Sequence, residues 1–295
     1  MAELVERAVD MYSEGVRVAG VLTAPAGARG LPGVVVCHGF ACTMAMDLPE
    51  IAARIARAGY ATLRIDYRHF GESAGEPRNL LLPERQSQDV RAAITFLQAQ
   101  PEVAPERVGL WGTSFGGAVV LHAAAHDERA RAVVASVPVT NGGRWLRSVN
   151  TDESWERVLA EVAADRTRRA LEGVSTVVPI SAFRPATPTP AAAAFHARHA
   201  AIAPRREVPW WTVEALLGFA PDELAGRIAP RALLLIAAEG DVVVPIEQAE
   251  SAFAHAGEPK RLVRLPAGVD HFDVYEDPAL ATVVDETLAW LAAHL

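Results

Sequence analysis

The chain has 295 residues, of which 51% are apolar and 22% charged, a balance that excludes wholesale disorder. This length is near the ceiling for one hydrophobic core, so a single domain with an insertion fits better than two equal halves. The net charge is −8 and no long basic run occurs, which leaves neither nucleic acid nor an anionic membrane with an electrostatic footprint.

Met1–Asp10 mixes acidic and apolar residues without the basic and apolar regions of a signal peptide. No apolar stretch approaches the roughly 20 residues of a membrane span, so the expected location is the cytoplasm. Cys37 and Cys42 match neither a CxxC redox motif nor a zinc site, and Cys37, closing an apolar run, reads as a small buried hydrophobe. No metal or organic cofactor is implied.

In chain order, Leu4–Tyr12 and Val16–Ala24 read as a hairpin, and Leu31–Cys37 as a buried strand. A helix over Pro49–Ala58 stops at Gly59, and a strand follows at Ala61–Tyr67. Pro83 suits the first turn of a helix over Glu84–Gln98, whose apolar stripe is Val90, Ile94 and Leu97. Arg107–Trp111 is another core strand, Phe115–His126 a small-residue helix and Arg131–Val137 a further strand. Buried strands alternating with helices imply βαβ units and a mostly parallel sheet.

The rhythm breaks from Asn141 to about Arg227, where no strand is expected. Asp152–Leu171 reads as a charged amphipathic helix with Asp152 near its N-cap and Gly173 as its stop. Prolines between Pro179 and Pro209 surround an alanine-rich helix at Ala191–Ala203, and Trp210–Phe219 and Asp222–Ile228 are further helical pieces. A structureless loop of this length is improbable in a compact domain, so residues 141–227 read as an inserted helical cap. The rhythm resumes with a strand at Ala232–Ala237, a helix over Ile246–Ala256, a strand at Arg261–Leu265 and a last helix over Pro278–Leu295.

The strongest local signal is Gly112-Thr113-Ser114-Phe115-Gly116-Gly117, between a strand and a helix. A bare G-x-S-x-G occurs in roughly one chain in twenty by chance. Its setting is what makes it specific: a sharp turn needs small residues around the serine, and a helix N-terminus ahead stabilises negative charge. A hydroxyl needs a base to act as nucleophile. His271 lies just past the last strand and Asp241 just past the strand before it, so a parallel sheet brings both to the edge that holds Ser114. The order Ser, Asp, His completes a triad of nucleophile, orienting acid and base. Asp270 and Asp273 are nearer to His271 in sequence but suit turn hydrogen bonds, and Glu239 is a weaker rival to Asp241. His122 and His126 share a helix face without a glutamate in zinc-protease spacing.

The backbone N–H of Phe40, in His38-Gly39-Phe40-Ala41, and that of Phe115 are the expected oxyanion donors, with His38 holding its loop by hydrogen bonds. Trp145, Trp210 and Trp211, with Phe183 and Phe195, are candidate walls of an acyl or ring pocket, although aromatics on a cap also serve to glue it to the core. Met44 and Met46 are candidates for the opposite wall.

These features, with the loop Asp66-Tyr67-Arg68-His69-Phe70-Gly71-Glu72-Ser73 and the stretch Val213–Pro221 before Ile228 and Pro230, resemble the α/β-hydrolase superfamily. Within it the chain is similar to the dienelactone-hydrolase-like branch that includes fungal polyketide transferases and bacterial thioesterase-like hydrolases. The resemblance implies an α/β fold with a mostly parallel eight-stranded sheet, helices on both faces and a helical cap at 141–227 between core segments 1–140 and 228–295. It also implies that the Asp66–Ser73 loop is architectural, with Asp66 and Arg68 in hydrogen bonds or an ion pair. Dienelactone hydrolases carry a nucleophilic cysteine where this chain has Ser114, so their reaction does not transfer. The expected activity is cleavage of an ester or thioester through an acyl-enzyme, or acyl transfer, on a polyketide-like or other bulky small-molecule acyl substrate. Carbon–carbon hydrolysis of a diketone and a non-catalytic binding role stay open, as does a homodimer.

Overall fold

The computed structural model describes residues 3–185 and 189–295. The first two residues of the N-terminal segment, and residues 186–188 with one of the prolines of the expected cap, lie outside the described residues. The elements are β1 (Leu4–Ser13), β2 (Val16–Pro25), β3 (Leu31–Cys37), α1 (Leu48–Arg57), β4 (Ala61–Ile65), α2 (Pro83–Gln98), β5 (Val103–Thr113), α3 (Phe115–His126) and β6 (Ala130–Ser136). An insertion follows with α4 (Gly142–Ser148), α5 (Asp152–Glu172), β7 (Val177–Pro179), α6 (Pro190–His199), β8 (Glu207–Pro209) and α7 (Trp210–Leu217). The chain closes with β9 (Ala232–Ala238), α8 (Glu247–His255), β10 (Lys260–Leu265) and α9 (Ala279–His294).

Eight strands form one sheet in the order β1-β2-β4-β3-β5-β6-β9-β10. β1 and β2 are antiparallel to their neighbours, and β4 to β10 run parallel. The β1–β2 hairpin turns through Glu14 (φ 50°) and Gly15 (φ 81°), the left-handed pair that matches the twist of adjacent strands. Val34, Val35 and Val36 are all fully buried because helices cover both faces of the sheet. Val35 and Cys37 join the layer beneath α2 and α3, while Val34 and Val36 join the layer beneath α1 and α9. The mostly parallel sheet is the one implied by the resemblance to α/β-hydrolases.

The insertion departs from its expected form in three ways. β7 and β8 pair antiparallel (Val177 with Pro209, Val178 with Val208), although no strand was expected there. Each spans three residues and ends at proline, too short for an alternating pattern to register. α4 was also unexpected, since it begins with two glycines, which are poor helix formers. They are needed where they sit: a Cβ on Gly142 would come within 2.3 Å of the Leu216 carbonyl oxygen in α7. The N-cap of α5 is Thr151, whose side chain accepts from the Ser154 N–H, directly before Asp152 as expected. α6 ends at His199, short of Ala203. Trp145, Phe183, Trp210 and Leu216 belong to the same apolar cluster as the sheet's α2–α3 face, so the insertion shares the central core.

The Asp66–Ser73 loop is architectural, but Asp66 and Arg68 do not pair with each other. Asp66 accepts from the backbone N–H of Met44 (2.7 Å) and of Glu72 (2.8 Å). Arg68 pairs instead with the fully buried Asp89 of α2, through Nε (2.8 Å), Nη2 (2.7 Å) and its own backbone N–H (3.0 Å), and at the surface side with Glu14 through Nη1 (3.1 Å). Asp89→Ala would leave the guanidinium without its buried partner and should destabilise the protein by about 3 kcal/mol or more in urea unfolding. The double substitution Arg68→Met/Asp89→Leu should recover most of that loss. Equal loss in both variants would show that the pair is not an isolated buried charge balance.

Candidate active site

Ser114 ends the turn between β5 and α3 with φ 55° and ψ −123°, a conformation that side-chain-bearing residues rarely adopt. The surroundings hold it there. Ser114 N–H donates to the Ser136 carbonyl (2.8 Å), and its own carbonyl accepts from Gly117 (3.0 Å) and Val139 (3.1 Å). The turn admits no side chain two residues to either side: a Cβ on Gly112 would lie 2.3 Å from the Gly116 carbonyl oxygen, and one on Gly116 would lie 2.4 Å from that of His38.

His271 reaches Ser114 from the loop after β10. Its Nε2 lies 3.1 Å from Ser114 Oγ, and its Nδ1 lies 2.6 Å from Asp241 Oδ2. Asp241 sits after β9 and is buried with His271. Its second oxygen accepts the N–H groups of Val243 (2.8 Å) and Val244 (2.7 Å), which fix the orientation of the carboxylate. Gly240 lets this loop approach the His271 loop, since a Cβ there would meet the Ala267 carbonyl oxygen at 2.1 Å. The rival carboxylates are occupied elsewhere. Asp270 accepts the Phe272 N–H at 3.0 Å, Asp273 accepts the Asp270 N–H at 2.8 Å, and Glu239 is exposed.

The N–H groups of Phe40 and Phe115 find no protein acceptor among the described residues. Phe115 begins α3, where the first-turn amides point out of the helix. Gly39 packs so closely that a Cβ on it would come 3.2 Å from Ser114 Cβ. The buried His38 donates from Nδ1 to the neighbouring Gly39 carbonyl (3.0 Å), and burial pushes its pKa down. Cys42 lines the same cavity, but burial and then Asp47 push its thiol up to about 12, so it carries no thiolate. Cys37 is likewise held near 12 by burial.

A cavity of about 320 Å³ opens over Ser114 and His271. Of the expected wall residues, Trp145, Phe195 and Met46 line it. Trp145 stacks edge-on against Phe40 (5.7 Å) and donates from Nε1 to the Val243 carbonyl (2.9 Å), tying α4 to the Asp241 loop. Met44, Trp210, Trp211 and Phe183 lie off the cavity, which corrects four of the expectations. Met44 is anchored beneath the sheet layer by Asp66. Trp210 is buried in the core against Phe183 (6.0 Å), and Trp211 faces outward with the Arg169 guanidinium 5.4 Å from its ring. Phe183 is fully buried behind the wall.

Arg184, His196, Arg206, Phe272 and Tyr275 also line it and were not anticipated. A signal for the basic ones exists in the sequence: from Gly173 to Arg206 there is no Asp or Glu, although Arg184, Arg198, Arg205 and Arg206 fall within it. No Asp or Glu lines the cavity among the described residues.

The model of the family described as "Serine aminopeptidase, S33" matches residues 32–276. The chain is 29% identical to the quorum-quenching protein AidA of Acinetobacter baumannii, covering 96% of this chain and 93% of that one. It is 28% identical to a thiohydrolase of Eupenicillium brefeldianum over 85% of this chain and 82% of the relative. The crystal structure of the α/β hydrolase GrgF from a Penicillium species superposes with a TM-score of 0.82 at 27% identity, over 99% of both chains.

Asp241→Asn should lower kcat on any ester substrate by about 10⁴-fold, because the amide favours the wrong imidazole tautomer. Asp270→Asn should change it less than tenfold. A mild Asp241→Asn together with a crippling Asp270→Asn would reassign the acid.

Proposed function

Because this chain belongs to the serine aminopeptidase S33 family and is an α/β-hydrolase enzyme, we propose that it opens an ester or thioester through an acyl-enzyme on Ser114. The observation that carries the reading is the unbroken hydrogen-bonded chain Ser114–His271–Asp241, at 3.1 and 2.6 Å, ending in a cavity. Ser114 Oγ attacks the carbonyl carbon as His271 Nε2 takes its proton, and Asp241 stabilises the imidazolium that forms. The N–H groups of Phe40 and Phe115 receive the developing oxyanion, a contribution of about 3 kcal/mol per donor in hydrolases. His271 then returns the proton to the leaving alcohol or thiol. Water, or an acceptor alcohol in a transfer reaction, enters by the same base and releases the acyl group.

In this reading residues 141–227 act as a substrate-selecting cap, since Trp145, Arg184, Phe195 and Arg206 all come from them. Thioester chemistry is favoured by the similarity to a thiohydrolase, and acyl transfer by that to the polyketide transferase grgF. The aminopeptidase reaction of the family's description fits this cavity poorly. A substrate ammonium needs a carboxylate, and the lining offers guanidinium groups instead. About 320 Å³ is at the lower end of ligand-sized cavities, so the acyl group is of modest length rather than bulky.

A fluorophosphonate should add once, on the peptide that contains Ser114, and Ser114→Ala should abolish the adduct. In a series of acyl thioesters, kcat/KM should rise about fourfold per methylene until the cavity fills. Trp145→Ala should move that optimum to longer chains. Labelling at another residue, or a profile that peaks at acetyl in both proteins, counts against the reading.

A further inference from the structure

The cavity has an electrostatic feature that the triad does not use. Arg184 is partly buried, its Nε has no hydrogen-bond partner, and its guanidinium sits 5.4 Å from the Trp145 ring. The ring holds the plane of the charge while leaving its edge donors free. Arg206 lies at the cavity mouth, with Nη1 within 3.0 Å of Nδ1 and 2.9 Å of Nε2 of His196, so a neutral imidazole accepts from it. Neither guanidinium has a carboxylate partner among the described residues.

The nearby carboxylates are committed elsewhere. Asp47 accepts from Arg198 (3.1 Å) and His199 (3.0 Å), Glu276 pairs with Arg198, and Glu207 pairs with Arg205 (3.4 Å). Asp241 is held by His271 and two backbone amides. Burial, and next the field of Arg206, lowers Arg184 to about 10, which still leaves it cationic near neutral pH. Burial followed by Arg206, Arg184 and His199 brings His196 down to about 4, and the rings of Phe195 and Phe272 complete its surroundings. Arg184 is an unpaired charge partly withdrawn from water, which is costly, Arg206 is exposed beside it, and two arginines lining one space match the geometry of carboxylate and phosphate oxygens.

We propose that Arg184 and Arg206 form an anion subsite in the cap wall of the Ser114 cavity, and that the substrate is an ester or thioester bearing a carboxylate or phosphate beyond its scissile carbonyl. The inference rests on the reading of Ser114 as the nucleophile. The anion belongs either to the acyl chain or to the leaving group, and the two sources are separable. The acyl arm compares p-nitrophenyl hemiglutarate with the uncharged p-nitrophenyl valerate. The leaving-group arm compares butyryl-coenzyme A with butyryl-N-acetylcysteamine.

In one arm the anionic substrate should be preferred by about 10- to 100-fold in kcat/KM, the range expected of charge-assisted hydrogen bonds. Arg184→Met and Arg206→Met should each collapse that ratio, and Arg206→Lys should restore part of it. A readout independent of turnover is the NMR titration of His196, assigned by comparison with His196→Asn. Adding glutarate or inorganic phosphate should raise its pKa by about one pH unit, because a bound anion favours the imidazolium. Equal rates for charged and neutral substrates in both arms would overturn the subsite, whether or not His196 responds to the anions. So would a preference that survives both methionine variants. If no ester or thioester is turned over at all, the acyl-enzyme reading falls instead, and the His196 titration alone decides whether the anion site exists.

Discussion

The backbone at Ser114 is the constraint on which the rest of the site depends. A serine held at φ 55° projects its hydroxyl clear of the sheet edge, and the neighbouring chain must be stripped of side chains to permit it. Gly112 and Gly116 meet this demand from within the turn, and Gly39 meets it from the facing loop, where any Cβ would press on Ser114. Strain of this kind costs on the order of 1–3 kcal/mol and persists only where the surroundings over-determine it. Three backbone hydrogen bonds to Ser136, Gly117 and Val139 do so here. The same strand-to-helix turn places the Phe115 amide at the start of α3, so nucleophile geometry and a free donor arise from one device.

The parallel sheet supplies the remaining alignment. β5, β9 and β10 end at one edge, and the loops that follow them deliver Ser114, Asp241 and His271. Loops are mobile by default, so each is pinned by contacts that leave its functional atom free. Asp241 spends one oxygen on Val243 and Val244 and keeps the other for His271. The Asp270–Asp273 turn spends its carboxylates on its own amides. Trp145 then bonds to the Val243 carbonyl, so the insertion is tied to the acid loop by a buried hydrogen bond as well as by apolar contact.

How legible each part was in the sequence follows from the range of the forces involved. The parallel strands were readable because their burial on both faces demands continuous apolar runs such as Val34–Val36. The meeting of Ser114, His271 and Asp241 was readable because topology brings three strand ends together. Asp66 and Arg68 show the limit: their polar character signalled buried hydrogen bonding, but the partner of Arg68 is Asp89, chosen by the packing of α2 and invisible to local spacing. The insertion was least legible. Its two strands are three residues long, α4 starts on glycines that only the contact with α7 explains, and its tryptophans divide between wall, core and surface according to tertiary contacts. Trp210 and Trp211 are adjacent, yet one is buried and the other 39% exposed, a distinction no composition argument reaches.

Charge distribution links these observations to the chemistry. The chain as a whole carries −8, yet its longest acid-free stretch, Gly173–Arg206, supplies part of the cavity wall over Ser114. A locally positive mouth on an acidic body draws anions toward the cavity. It also bears on the reaction itself. In the proposed reaction His271 becomes cationic as Ser114 loses its proton, at a cavity lined by Arg184 and Arg206. Like charges oppose that step, the partly buried Arg184 more than the exposed Arg206, and Asp241 offsets the opposition from one side only. An anionic group on the substrate would neutralise the guanidinium groups before proton transfer begins. The substrate would then relieve a barrier that a neutral analogue leaves in place, and discrimination between the two would fall on the chemical step as well as on binding. The arginines of the cap and the acid behind the histidine are, on this argument, two halves of one charge balance that closes only when the substrate is present.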